Sequence, residues 1–147
     1  RGSHGAAGEV GYLLTASSDA GFAAGHAPFE EATGGQAIGR QLAALVGSPY
    51  SAKDMWSNSE LPQVVQRFKT QLLASWAFNL ANLCITWDPA VVAIGGGMEA
   101  AYDQIAPTLT AQLAQSVPFP PVLKRAYYQQ NASLNGIALL AVQSVTS

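Results

Sequence analysis

An α/β fold with parallel strand pairing is the class this sequence predicts, and three observations carry it. The later part of the chain reads helix, strand, helix, strand, helix, an order that places consecutive strands side by side in one direction. The first of those helices has apolar residues at helical spacing for more than six turns, from Leu61 to Cys84. The segment from Asp88 to Gly97 then reads as a turn, a short β-branched strand and a glycine loop.

Taken in order, residues 9–15 (EVGYLLT) read as a short strand, and residues 16–27 as a Ser/Gly/Ala loop without periodicity. Pro28 suits the first turn of a helix, where its missing N–H costs nothing, and Phe29–Ala32 continue it until Gly34-Gly35. From Gln36, the positions Ala37, Ile38, Leu42, Leu45 and Val46 recur at three and four, and Gly47 stops the helix. Ser51 caps a further short helix through Trp56. The long helix starts near Ser59–Pro62 and ends around Trp87, because proline at 89 disfavours helix at the residue before it. Ala90–Ile94 has the length and β-branched content of a buried strand. A helix from Met98 to about Ser116 carries Pro107 as a kink or break. Pro118, Pro120 and Pro121 force an extended linker, Val122–Tyr128 reads as a strand, and Ala132–Val145 as a last helix with a small apolar face.

Composition narrows the function classes. A chain of 147 residues is long enough for one domain with a real core. It is 49% hydrophobic and 11% charged, poor in charge beside the roughly 25% usual for globular domains, so part of its surface is expected to meet another chain. The net charge of -2 argues against nucleic-acid binding through this segment, which needs a basic patch. The lone Cys84 excludes an internal disulfide and fits a reducing, cytoplasmic setting. No uninterrupted apolar run is long enough to span a membrane. There is no Walker A loop, no Gly-x-Ser-x-Gly elbow, no paired cysteines and no HExxH. Trp76, Phe78, Trp87, Tyr127 and Tyr128, at helical or strand spacing, read as core or subunit interface rather than as stacking platforms.

Three short segments carry chemistry. Gly5-Ala6-Ala7-Gly8-Glu9-Val10-Gly11-Tyr12 sets one carboxylate in a glycine frame that lets a ligand approach the backbone. Phe29-Glu30-Glu31-Ala32-Thr33-Gly34-Gly35 places two acids at a helix N-terminus, where the macrodipole favours them with or without a ligand. Gly95-Gly96-Gly97 after a strand is a close-approach loop, equally at home as a tight structural turn or beside a phosphate at a helix N-terminus.

Together the three segments resemble the C-terminal half of the ROK family, whose members are repressors, open reading frames and sugar kinases. The resemblance implies a ribonuclease H-like fold of the actin-like ATPase and sugar kinase type, incomplete at its N-terminal edge. Residues 1–147 are then the C-terminal portion of a sugar-binding domain, without the N-terminal helix-turn-helix or kinase lobe. Arg1–His4 read as native residues ahead of the glycine segment or as the remnant of a tag.

In the family, the glutamate matching Glu9 binds sugar hydroxyls, and so does the one matching Glu30. A histidine stands where this chain has Tyr12; it serves the sugar site and ligates a structural zinc. Tyrosine can still hydrogen-bond a sugar but is not a normal zinc ligand. The cysteines of the family's zinc run are missing too, and His4 and His26 do not replace them, so no metal is expected. The loop matching Gly95, Gly96 and Gly97 lines the adenine and phosphate side of the family's nucleotide cleft. The Asn-Asp segment that supplies the kinases' catalytic base does not occur, so no catalytic residue is assigned and this segment alone is not expected to be a kinase.

Two parent functions remain open. One is the effector-binding and oligomerising part of a sugar-responsive transcriptional regulator, favoured by the lost zinc motif and by Tyr12. The other is the C-terminal lobe of a glucokinase-like sugar kinase, and only there would ATP and Mg be cofactors. The expected partners are a small-molecule sugar or sugar phosphate and a second copy of the chain, with no membrane.

Overall fold

The computed structural model describes residues 2–128 and 131–146. The chain divides into two compact units, residues 1–72 and 73–147.

The first unit opens with a glycine-rich turn that ends in a 3₁₀ segment at Val10–Tyr12. The strand expected over 9–15 does not form. The Glu9 N–H bonds back to the Ala6 carbonyl and the Tyr12 N–H to the Glu9 carbonyl, which winds the backbone into turns instead of leaving it for a ladder. The 16–27 loop folds on local hydrogen bonds. The Asp19 carboxylate accepts from the Thr15 N–H (2.6 Å), the Thr15 hydroxyl (2.7 Å) and the Ala16 N–H (2.8 Å), and Phe22–Ala24 form a further 3₁₀ turn.

Helix α1 (Pro28–Thr33) begins on its proline, as expected. Helix α2 (Gly35–Val46) buries Ala37, Ile38 and Leu42 and stops at Gly47, which takes the left-handed conformation. The Gln41 side chain donates to the Ala32 carbonyl (3.1 Å) and ties α2 to the end of α1. Helix α3 (Ala52–Ser57) carries a full capping box: Ser51 Oγ accepts from the Asp54 N–H, and the Asp54 carboxylate accepts from the Ser51 N–H. Met55 and Val65 are fully buried, and the Lys69 ammonium lies 4.6 Å from the Trp56 ring centroid.

Helix α4 (Gln63–Trp87) starts in the first unit and ends in the second, where Asp88 takes a positive φ ahead of Pro89. Ala81 and Cys84 of α4 form the core of the second unit with Leu113 and Val117, and Leu80 and Val92 pack against it. Burial in these apolar surroundings pushes the Cys84 thiol pKa up.

Strand β1 (Val91–Ile94) pairs in parallel with β2 (Val122–Arg125), Val91 opposite Val122 and Ile94 opposite Arg125. They form a two-stranded sheet among the described residues, with helix α5 (Tyr102–Ser116) on the crossover between them. Pro107 sits inside α5 without ending it.

Three details depart from the sequence reading. Strand β1 is buried only at Ile94, because a parallel strand is sealed on both faces only when elements cover both. Strand β2 ends at Arg125 rather than Tyr128. The helix expected from Met98 begins as a 3₁₀ segment, Gly96–Ala101, before α5. Helix α6 (Ala132–Thr146) closes the chain, and its Leu134, Ile137 and Leu140 are exposed. No helix among the described residues is long and apolar enough to cross a membrane.

Candidate functional site

The first unit brings together the turn that carries Glu9 and the helix that carries Glu30. Gly11 is the point of contact. A Cβ added there would stand 3.1 Å from Glu30 Oε2 and 3.3 Å from Glu30 Cβ, so a larger residue would have to shift the Glu30 side chain by a few tenths of an ångström. Glu9, at the start of the turn, and Tyr12, at its end, flank this contact and are both exposed. The Tyr12 ring stands edge-to-face on Phe22, 5.3 Å between centroids.

The two adjacent glutamates of α1 do different work. Glu31 accepts from the Ala27 N–H (3.1 Å) and faces His26 Nδ1 (3.2 Å), which caps the start of α1. The Ala27 hydrogen bond, then the one from His26, hold its carboxyl below the usual glutamate range. No hydrogen bond from another described residue reaches the Glu30 carboxylate, so it keeps its acceptor capacity for a ligand. Glu30 lines an open concavity of about 460 Å³ together with Gly34, Gln36 and Arg40. Sequence reasoning missed Arg40 and Gln36, which follow the glycine pair within the first turns of α2.

The residues of the 16–27 loop do not fit a zinc ion. The loop has no cysteine, His26 is turned to Glu31, and Asp19 is taken up by Thr15 and Ala16. Among the described residues, no group of three or more His, Cys, Asp or Glu could hold a metal.

Gly95, Gly96 and Gly97 belong to the second unit. Gly95 ends the extended stretch after β1, where an added Cβ would meet Ala126 Cβ at 3.0 Å. Gly96 has a φ of 68°, in the left-handed region. Added Cβ atoms at Gly96 and Gly97 would meet nothing within 4 Å, so open space borders this part of the loop.

Behind the loop lies an ion-pair cluster absent from the sequence reading. Arg125 Nη1 donates to Glu99 Oε1 (2.9 Å) and Nη2 to Asp103 Oδ2 (2.8 Å). Glu99 is buried, whereas Arg125 and Asp103 are exposed. The guanidinium also lies 5.1 Å from the centre of the Tyr102 ring, and the Tyr102 hydroxyl donates to the Leu123 carbonyl (3.1 Å). The Asp103 hydrogen bond, with the Glu99 one behind it, raises the Arg125 pKa above its usual value.

The mixed helix and parallel-strand fold is of the sugar-kinase-like class, and the comparisons agree on the fold. The ROK family profile matches residues 1–144, and the chain belongs to the ROK family. The ROK hexokinase of Thermus thermophilus superposes with a TM-score of 0.73 at 25% identity, over 100% of this chain and 51% of that one. A candidate sugar kinase from Cytophaga hutchinsonii superposes with a TM-score of 0.53 at 24% identity, over 91% of this chain and 48% of that one. The chain therefore spans about half the length of these two structures. No curated protein sequence matches it.

Proposed function

We propose that this chain is the sugar-recognising part of a ROK-family transcriptional regulator, with Glu9 and Glu30 accepting hydrogen bonds from the hydroxyls of one sugar or sugar phosphate. Tyr12 supplies a further hydroxyl beside them. The observation that carries this reading is the seating of Gly11 on the Glu30 side chain, which joins the Glu9 turn to the Glu30 helix within one unit. Ionised carboxylates suit the task, since charge-assisted hydrogen bonds are roughly twice as strong as neutral ones.

The regulator reading is supported by what the 16–27 loop holds. A hydrogen-bonded Thr15–Asp19 turn and a His26–Glu31 pair occupy the place of a cysteine-rich metal loop. Tyr12 also stands where the family's kinases carry histidine.

The likeness to the Thermus thermophilus hexokinase favours a second reading, in which the chain is the C-terminal lobe of an ATP-dependent sugar kinase. The open space beside Gly96 and Gly97 would then receive the nucleotide, and ATP with Mg would supply the transferred phosphoryl group. The base that deprotonates the sugar would come from outside this segment.

Titration calorimetry of the intact polypeptide that carries this segment, with glucose, mannose and N-acetylglucosamine as probes, tests the sugar site. Glu9→Gln is expected to weaken the best-bound sugar by about 1.5–3 kcal/mol per lost charged hydrogen bond. Under the regulator reading, the DNA affinity of the sugar-free protein stays intact. ATP-dependent phosphorylation of the bound sugar would replace the regulator reading with the kinase one. Unchanged sugar affinity in Glu9→Gln would remove both.

A further inference from the structure

The parallel register delivers Arg125 to a particular place. It is the last residue of β2 and pairs with Ile94, the last residue of β1 before Gly95. The Ala126 N–H donates to the Ile94 carbonyl (2.8 Å), and Ala126 Cβ is the atom that Gly95 must clear. From this position the guanidinium reaches forward in two directions. It holds Glu99, inside the 3₁₀ segment Gly96–Ala101, and Asp103, in the first turn of α5.

The stretch from Ile94 to Asp103 that holds the loop therefore has three ties to Arg125 and Ala126: the backbone bond just before the loop, the pair with buried Glu99 just after it and the pair with Asp103 at the start of α5. Without Arg125, Glu99 would be left as a buried carboxylate with no cation, a state that costs far more than an exposed one. Relief would come from moving the segment so that Glu99 reaches water, which re-aims Gly96 and Gly97. The two bonds use separate guanidinium nitrogens, which the single point charge of lysine cannot reproduce.

We propose that Arg125 is the positioning residue of the Gly95–Gly97 loop, fixing the backbone conformation with which that loop meets a nucleotide phosphate. The proposal rests on the second, kinase reading, in which the loop is the nucleotide side of the site.

The test compares wild type, Arg125→Met and Arg125→Lys in the intact polypeptide, by amide hydrogen exchange and by ADP affinity. Arg125→Met is expected to speed exchange over residues 95–101 by about tenfold or more while α4 keeps its protection, as local rather than global opening requires. ADP affinity falls in parallel, sugar affinity stays, and Arg125→Lys recovers part of both losses. Unchanged exchange over 95–101 in Arg125→Met overturns the proposal whatever ADP does. Faster exchange with unchanged ADP affinity overturns it as well. A wild type that binds no ADP removes the nucleotide reading, and with it the ligand half of the proposal, while exchange still decides whether Arg125 sets the loop.

Discussion

Glu30 and Glu31 are neighbours in sequence and differ in what their carboxylates hold. Both border the same concavity, but Glu31 is spent on the Ala27 N–H and His26, whereas no hydrogen bond from another described residue reaches the Glu30 carboxylate. The Glu31 carboxyl is depressed in the folded state, so its contribution is present above the unfolded glutamate pKa and is lost as pH falls through the folded value. Acidification through and below the glutamate range should uncouple the start of α1. The Ala27 amide resonance should report this in wild type and show no such titration in Glu31→Gln. Both partners are half-exposed, so the backbone hydrogen bond rather than the ion pair carries the effect. Gly11→Ala offers a complementary test. Its methyl would meet Glu30 Oε2 and Cβ and push the carboxylate aside. Sugar affinity should drop while the helical circular dichroism stays constant. A Gly11→Ala protein that binds sugar like wild type would show that Glu30 does not act from its present position.

At the scale of elements, the helices and the two paired strands were legible, and the strand read over residues 9–15 was not. Pro28, Gly47, Ser51 and the Asp88-Pro89 pair punctuate the helices by local chemistry, and each acts where the sequence places it. Ser51→Ala should cost about 1 kcal/mol by removing the side-chain acceptor of the capping box, read from chemical denaturation. Ile105 lies fully buried on α5, and Ile105→Ala should cost about 2–5 kcal/mol by the same measurement. Strands need partners that local pattern does not name. Residues 9–15 look strand-like, but the backbone through Leu13 closes on itself in turns. Val91 looks buried because it is apolar, yet it is exposed. The Arg125 cluster joins residues 26 and 22 positions apart, a contact set by the β1–β2 register and invisible to any local window. The separate duties of Glu30 and Glu31 were hidden for a related reason, since capping depends on where the chain enters α1.

The whole molecule combines low charge with exposed apolar side chains. Phe78 and Ile85 on α4 and Leu134, Ile137 and Leu140 on α6 are all more than half exposed. Faces of this kind mark interaction surfaces, and self-association is the expected consequence. Sedimentation should show species heavier than the 15.3 kDa chain at micromolar concentration, and a clean monomer throughout would contradict this. Membership of the ROK family is settled by the profile match, and the paired glutamates are the part of the chain on which its proposed activity turns. The most direct test is a double-mutant cycle on sugar affinity, with Glu9→Gln, Glu30→Gln and the double variant titrated calorimetrically against the hexose that wild type binds best. Two carboxylates holding one sugar should each lose affinity when neutralised, and their losses should fail to add by about 0.5 kcal/mol or more. Wild-type affinity in both single variants would contradict the shared sugar site.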